Sequence, residues 1–278
     1  MNIAVAGLGL IGGSICKAIK KYTDYKCFGL DADSEIISAA LADESIDKEI
    51  SPDNLKEADI VIICLYPKQI ISFASGNINK FKKGGIVIDA GGVKTEICEK
   101  LHPVFKNSGV DFIGAHPMAG REFSGYKYSQ ANLFENASFI VTPYPETPAK
   151  KINIIEKLTK KIGFGRFVIT TPHEHDRIIA YTSQLAHIVS NAYVKSPTIE
   201  SKTGFFAGSF LDLTRVAKLN EEMWSSLMTL NKDFLVGELK NIIGSLTEYL
   251  SSLENGDKDY LRNLLKDGRI KKEKSEEK

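Results

Sequence analysis

Six residues near the amino terminus, Gly7-Leu8-Gly9-Leu10-Ile11-Gly12, have the types and spacing that bring a backbone up against a phosphate. They follow the apolar run Ile3-Ala4-Val5-Ala6 and open a helical stretch. Gly7 permits the tight turn, Gly9 lets the chain approach a pyrophosphate, and Gly12 lets helix and strand pack closely. The helix N-terminus then offers free N–H groups to the phosphates. The next strand ends in Asp31, 19 positions after Gly12 (31 − 12), where a carboxylate can accept from both ribose hydroxyls. A plain glycine-rich turn, with Asp31 only capping the next helix, is the alternative. A 2′-phosphate would meet Asp31 and Asp33 with no Arg or Lys beside them, so like-charge repulsion favours NAD over NADP. Leu65, at the end of the apolar run Ile60 to Leu65, is assigned to the same cofactor site.

A second group of residues suits proton transfer and anion binding. In Gly114-Ala115-His116-Pro117-Met118-Ala119-Gly120, an apolar run from Phe112 leads into His116. That places His116 at a strand's carboxyl end, where ligands of open α/β sheets bind. It is a candidate general base, with an ordinary loop histidine as the alternative. Gln184, His187 and Asn191 stand at i, i+3 and i+7, one polar stripe on a helix. No Asp, Glu, Lys or Arg lies between Arg177 and Lys195, so a partly buried cleft suits this stripe better than a wet face. Arg215, amid Phe205, Phe206, Phe210 and Leu211, offers a planar fork for a carboxylate; a structural pair with Asp212 is the alternative. His173-Glu174-His175 is not a metal motif, because histidines at i and i+2 face different ways on a helix. No metal is expected.

The elements that must position these residues follow from hydrophobic periodicity. Strands are expected at Asn2 to Ala6, Lys26 to Leu30, Ile60 to Leu65, Ile86 to Asp89, Phe112 to Gly114, Phe139 to Thr142 and Phe167 to Thr170. Runs such as Ile60-Val61-Ile62-Ile63 read as strands buried on both faces. Helical stretches between them, including Gly13 to Tyr22 and Lys150 to Ile162, imply a parallel sheet covered on both sides. After Thr170-Thr171-Pro172 the pattern is helical only: Asp176 to Val194, then Glu221 to Leu253 with a break near Gly237 or Gly244. The expected fold is α/β, a doubly wound sheet over 1–171 followed by an all-helical domain over 172–265. The charged end, 266–278, with Ile270 as its only large apolar residue, is expected to be solvated and partly disordered.

Composition excludes several function classes. Lys and Arg total 36 against 35 Asp and Glu, a net charge of +1, so neither nucleic acid nor a membrane surface is an expected partner. The four cysteines, Cys16, Cys27, Cys64 and Cys98, form no Cys-x-x-Cys pair and read as reduced thiols of a cytoplasmic protein. The glycine-broken start is a strand and turn rather than a signal peptide.

The stretch Gly114 to Pro143, GAHPMAGREFSGYKYSQANLFENASFIVTP, resembles the catalytic segment of prephenate and arogenate dehydrogenases. Gly208 to Ala217, GSFLDLTRVA, resembles that family's GFxDxTRIA segment, and Met223-Trp224 follows at the family's spacing. His175-Asp176 and Gln184-Leu185-Ala186-His187 match the first helix of its second domain. The resemblance implies a Rossmann-type domain and a helical dimerisation domain, NAD as cofactor, and a homodimer acting on prephenate or arogenate. It implies His116 as the catalytic base and Arg215 as the holder of a substrate carboxylate. It places His187 and Gln184 in the substrate pocket, Glu122 at its mouth, and Trp224 near the partner subunit's site. One departure stands out. Asp89-Ala90-Gly91-Gly92-Val93-Lys94 resembles the family's Asp-x-x-Ser-Val-Lys element, but Gly92 replaces the serine that hydrogen-bonds the catalytic histidine. Water, Ser124 or Thr95 is the expected substitute. Retention of His116 and Arg215 argues against a non-catalytic dinucleotide sensor. His187 and Gln184, where a β-hydroxyacid dehydrogenase would carry a lysine, argue against that relative.

Overall fold

A computed structural model of the chain describes residues 1–121, 123–201 and 203–276. Apolar runs form the strands, and amphipathic stretches form the helices between them. In chain order these are β1 (Asn2–Ala6), α1 (Leu10–Tyr22), β2 (Lys26–Leu30), α2 (Ser34–Ala42), β3 (Lys48–Glu49), β4 (Ile60–Ile63), α3 (Pro67–Gly76) and β5 (Ile86–Asp89). There follow α4 (Thr95–Phe105), β6 (Asp111–Pro117), β7 (Ser138–Pro143), α5 (Ala149–Lys161) and β8 (Arg166–Ile169). The sheet order is β3-β2-β1-β4-β5-β6-β7-β8. Successive strands run outward one way from β1 and the other way from β4, so the topological switch lies between β1 and β4.

Side chains alternate across the sheet, as the two-residue period of a strand requires. Ile3, Val5, Ile60, Ile62, Ile86, Ile88, Ile113 and Ala115 enter one apolar cluster with residues of α1 and α5. Ala4, Val61, Ile63, Val87 and Phe112 enter the other with residues of α3 and α4. His116 follows Ala115, so it points to the second face.

The sheet is not wholly parallel as expected: β7 pairs antiparallel with β6, and β8 is parallel to β7. Among its described residues, the connection from Pro117 to Ser138 contains one short 3-10 turn, Tyr126–Tyr128. It leaves β6 and enters β7 at the same end of the sheet, Pro117 lying opposite Phe139, which makes the pair antiparallel. The strand β3 was not expected from the sequence; its residues Lys48 and Glu49 are both exposed and leave no apolar alternation.

The helical half begins at Thr171, whose hydroxyl accepts the Glu174 N–H, with Pro172 at the first helical position. Here α6 (Pro172–Ile179), a π-helical stretch (Ala180–Leu185) and α7 (Ala186–Tyr193) follow without interruption. After α8 (Gly208–Thr214) come α9 (Glu221–Leu230), α10 (Lys232–Glu254) and α11 (Lys258–Glu276). The break expected at Gly237 or Gly244 lies at Asn231 instead. Asn231 is 3% exposed, and its amide donates to the Asp176 carbonyl and to Gln184 Oε1, both at 2.8 Å. Gly237 and Gly244 sit within α10 in open space.

The charged end also differs from expectation. Residues 266–276 complete α11, with no buried residue. The ion pairs Lys271–Asp267, Arg269–Glu273 and Lys272–Glu276, all at i and i+4, support it as a solvated helix. Residues 277 and 278 lie outside the described residues. No described helix is long and apolar enough to cross a membrane.

Candidate active site

The glycine loop sits at the switch point and fits a pyrophosphate. Gly7 has φ +89°, and an added Cβ there would lie 2.4 Å from the Cys64 carbonyl oxygen and 2.8 Å from the Leu65 side chain. This contact puts Leu65 against the loop. A Cβ at Gly12 would strike the Gly7 carbonyl oxygen at 1.9 Å, whereas one at Gly9 would meet nothing within 4 Å. Gly9 is thus the open position, and it starts α1 without a side-chain cap. Leu8 is buried; Leu10 and Ile11 are partly exposed on the first turn. Asp31 Oδ2 accepts the Leu8 N–H at 2.6 Å, and Oδ1 accepts the Asp33 N–H at 3.0 Å. The acid is therefore fixed beside the loop.

The floor under His116 is a buried ion pair. Asp89, ending β5, accepts the Ala115 N–H at 3.0 Å and the Gly91 N–H at 2.9 Å. It pairs with the Lys94 ammonium, which also donates to the Ala115 carbonyl at 2.7 Å. Both side chains are fully buried. A buried charge left alone would cost several kcal/mol, roughly 3–5, so each partner requires the other.

Beside this floor, His175 of α6 reaches His116, and Asp176 orients it. Asp176 accepts the backbone N–H groups of Lys94 and Thr95 at 2.8 Å each, at the start of α4. His175 Nδ1 lies 2.7 Å from Asp176 Oδ1, and His175 Nε2 lies 2.9 Å from His116 Nδ1. Burial works against the Asp176 carboxylate, but its hydrogen bonds from His175 and Thr95 prevail and hold it below the usual range. A carboxylate only accepts, so His175 Nδ1 donates, its Nε2 accepts, and His116 Nδ1 donates. His116 Nε2 is left with its lone pair. That atom is 3.9 Å from where a Cβ on Gly92 would stand, and the methyls of Leu227 are 3.4 Å from the same point.

Burial, then the neighbouring His175 and Lys94, hold His116 well below the ordinary histidine range. His175 is also lowered, first by burial. A neutral imidazole with one ring nitrogen anchored and the other open can take a proton. The ring partner of His116 is His175, where water, Ser124 or Thr95 had been expected. Ser124 is exposed in the connection after β6, and Thr95 contributes a backbone N–H to Asp176. Glu122 lies outside the described residues.

The helix α9 links His116 to the remaining candidates. Leu227 and Trp224, three apart, share a face. Leu227 covers Gly92, while the Trp224 ring lies 3.8 Å from the His187 ring. His187 Nδ1 donates to the Val216 carbonyl at 3.0 Å. With Asp212, Arg215 and Val216 it lines a groove of about 510 Å³. Arg215 is exposed there, and Phe205 is 91% exposed, so the aromatic segment does not enclose the arginine. His116 does not line this groove; the structure brings together His187, Trp224 and Arg215, with α9 as the bridge to His116.

Gln184 is 1% exposed, donates to the Leu227 carbonyl at 3.3 Å and accepts from Asn231. Asn191 donates to the Ala217 carbonyl, and Ser190 to that of Leu213. Much of the polar stripe thus holds the turn that carries Arg215, instead of lining an open cleft. His173, Glu174 and His175 diverge: onto the Phe234 ring, onto Arg177 and onto His116. Sequence reasoning singled out His175-Asp176 only as a family match and missed its role as the ring partner of His116. Its only signal was an acid adjacent to a histidine on the first helix of the second half.

Two family models match the chain: the nucleotide-binding domain of prephenate dehydrogenase over residues 15–177 and its dimerization domain over residues 171–267. The chain is 31% identical over 276 residues to a cyclohexadienyl dehydrogenase of Zymomonas mobilis, covering 96% of this chain and 93% of that one. It is 31% identical over 283 residues to a prephenate dehydrogenase of Bacillus subtilis, covering 95% and 73%. Among solved structures, prephenate dehydrogenase from Aquifex aeolicus, in complex with hydroxyphenyl propionate and NAD+, superposes with a TM-score of 0.84 at 25% identity. The match covers 99% of this chain and 98% of that one. Synechocystis arogenate dehydrogenase superposes at 0.83, also at 25% identity, covering 99% and 100%.

Proposed function

The chain belongs to the prephenate dehydrogenase family, and from that premise we propose that it converts prephenate to 4-hydroxyphenylpyruvate. The observation that carries this reading is His116, its Nδ1 anchored by His175 and its Nε2 lone pair open above Gly92.

Gly7 to Gly12, with Asp31 beside the loop, would hold NAD, which would supply the hydride acceptor. His116 Nε2 takes the proton of the ring hydroxyl as the C–H electron pair leaves as hydride and the carbonyl forms. The ring carboxylate departs as CO2, and its bonding electrons pass through the dienone to the ring oxygen. The phenolate recovers the proton from His116, so the base ends neutral and no net proton is released. Arg215 binds a substrate carboxylate, with His187 and Trp224 shaping the site beside it. The lowered proton affinity of His116 keeps it in the accepting form at neutral pH. The protein acts as a cytoplasmic homodimer; Val236, Ile243, Leu246 and Leu250, exposed on α10, suit such an interface.

Arogenate as substrate is the second reading, favoured by the likeness to the Synechocystis arogenate dehydrogenase. The test compares kcat/KM for prephenate and arogenate with saturating NAD. Prephenate should be at least about tenfold better, a difference of ~1.4 kcal/mol. A preference for arogenate would overturn the first reading in favour of the second.

A further inference from the structure

His116 is on β6 and its ring partner is on α6, 59 residues later. The pair joins the sheet half to the helical half through His116 Nδ1, on the ring whose other nitrogen, Nε2, stays open beside Gly92. Glycine at position 92 supplies no hydroxyl to donate to Nε2, which lies 3.9 Å from where its Cβ would stand. His175 is therefore what fixes the ring. His175 is 2% exposed, and Asp176, also 2% exposed, is pinned by two amides of α4. The direction of donation has one solution while Asp176 is a carboxylate: His116 carries its proton on Nδ1 and presents Nε2 as acceptor.

We propose that His175, oriented by Asp176, is the positioning residue that selects the base-competent tautomer of His116, so that the base is armed by docking of α6 onto the start of α4. This rests on the function proposed above for the substrate, though not for the tautomer itself. An isolated neutral imidazole has two tautomers, and the one with Nε2–H cannot accept a proton at Nε2. Without His175, part of the enzyme would hold the wrong tautomer, and the ring would lose its orientation. The proton arriving at Nε2 leaves an imidazolium whose Nδ1–H points along the relay toward the Asp176 charge. The relay thus steadies the charge that forms as well as the ring that receives it. A purely structural His175 would contribute packing between α6 and β6 and would leave the tautomer of His116 unbiased.

The test has one arm that needs no turnover. In protein labelled with nitrogen-15 at histidine, the ring shifts of His116, assigned by their loss in His116→Asn, report which nitrogen carries the proton. The wild type at neutral pH should show Nδ1–H and an unprotonated Nε2. An Nε2–H wild type overturns the proposal even if every variant fails to fold. His175→Leu should give a mixed tautomer and lower kcat by roughly 10²–10⁴-fold, the upper end being the loss known when the orienter of a catalytic histidine is removed. KM and NAD affinity should stay within about twofold, because no binding group is removed. His175→Gln, whose carbonyl can accept from Nδ1 while its amide donates to Asp176, should recover most of kcat. An unchanged tautomer in His175→Leu, or equal losses in the Leu and Gln variants, would refute the positioning role. If the wild type shows the expected tautomer but does not oxidise prephenate, the substrate assignment fails and the relay stands.

Discussion

Replacing Asp31 by Asn changes a charge while sparing a hydrogen bond, and so isolates how the protein chooses its cofactor. Asp31 Oδ2 accepts the Leu8 N–H at 2.6 Å, and an asparagine oxygen can accept it equally. What disappears is the repulsion that a 2′-phosphate would meet. Two unit charges about 4 Å apart repel by ~1 kcal/mol in water and ~4 kcal/mol at an effective dielectric near 20. Asp31 is partly exposed, so ~2 kcal/mol per unit charge is a reasonable middle value. A phosphate carrying roughly −1.5 then pays ~3 kcal/mol, equivalent to about 10²-fold in kcat/KM. Asp33 and Glu35, on the same turn, add to the field. The assay is initial-rate formation of reduced cofactor over a range of NAD and NADP. Wild type should prefer NAD by at least about 10²-fold, and Asp31→Asn should shrink the preference to about tenfold or less, mostly by improving NADP. Equal use of both cofactors by wild type, or an unchanged ratio in Asp31→Asn, would refute the electrostatic account.

Four further outcomes are expected. His116 and His175 are both held below the ordinary histidine value of 6.5, first by burial. Between their folded values and 6.5 the unfolded chain binds more protons, so stability rises with pH there and is lost as pH falls below 6.5. The slope should reach ~1.4 kcal/mol per pH unit per histidine. Thermal denaturation against pH checks this, and a flat Tm from neutrality down through the acid range would contradict it. For the same reason the acid limb of kcat/KM should lie below the usual histidine range. Arg215→Ala should raise KM for prephenate by roughly 30-fold with a smaller change in kcat, and Arg215→Lys should rescue only in part; an unchanged KM would make the arginine structural. Asn231→Ala removes donors from two buried acceptors, the Asp176 carbonyl and Gln184 Oε1, and should cost about 2–3 kcal/mol by urea denaturation. A loss under ~0.5 kcal/mol would show that the α9–α10 elbow is held by other contacts.

Elements whose cause is local were legible in the sequence. The strands β1, β2 and β5 fall where their apolar runs begin and end, because a strand in mid-sheet must be apolar on both faces. The glycine loop and Asp31 were legible because a tight turn and a close backbone approach restrict residue type. The antiparallel β7 was not, since direction depends on where a connection runs in space. Nor was the elbow at Asn231, where the cause is a pair of hydrogen bonds to residues 55 and 47 positions away. The His116–His175 contact is of the same kind. The charged end misled in another way: its low apolar content suggested disorder, while the i and i+4 pairing of Asp267 with Lys271 and Arg269 with Glu273 already favoured a helix.

The central claim is that His116 takes a proton while hydride leaves and CO2 is lost in the same turnover. Wild type and His116→Asn should be given prephenate and NAD, with NADH and released CO2 measured together and NAD affinity determined by titration. The account predicts equimolar NADH and CO2 from wild type, and a kcat lowered by roughly 10²–10⁴ in His116→Asn with NAD binding intact. A His116→Asn enzyme turning over prephenate at near the wild-type rate would contradict it.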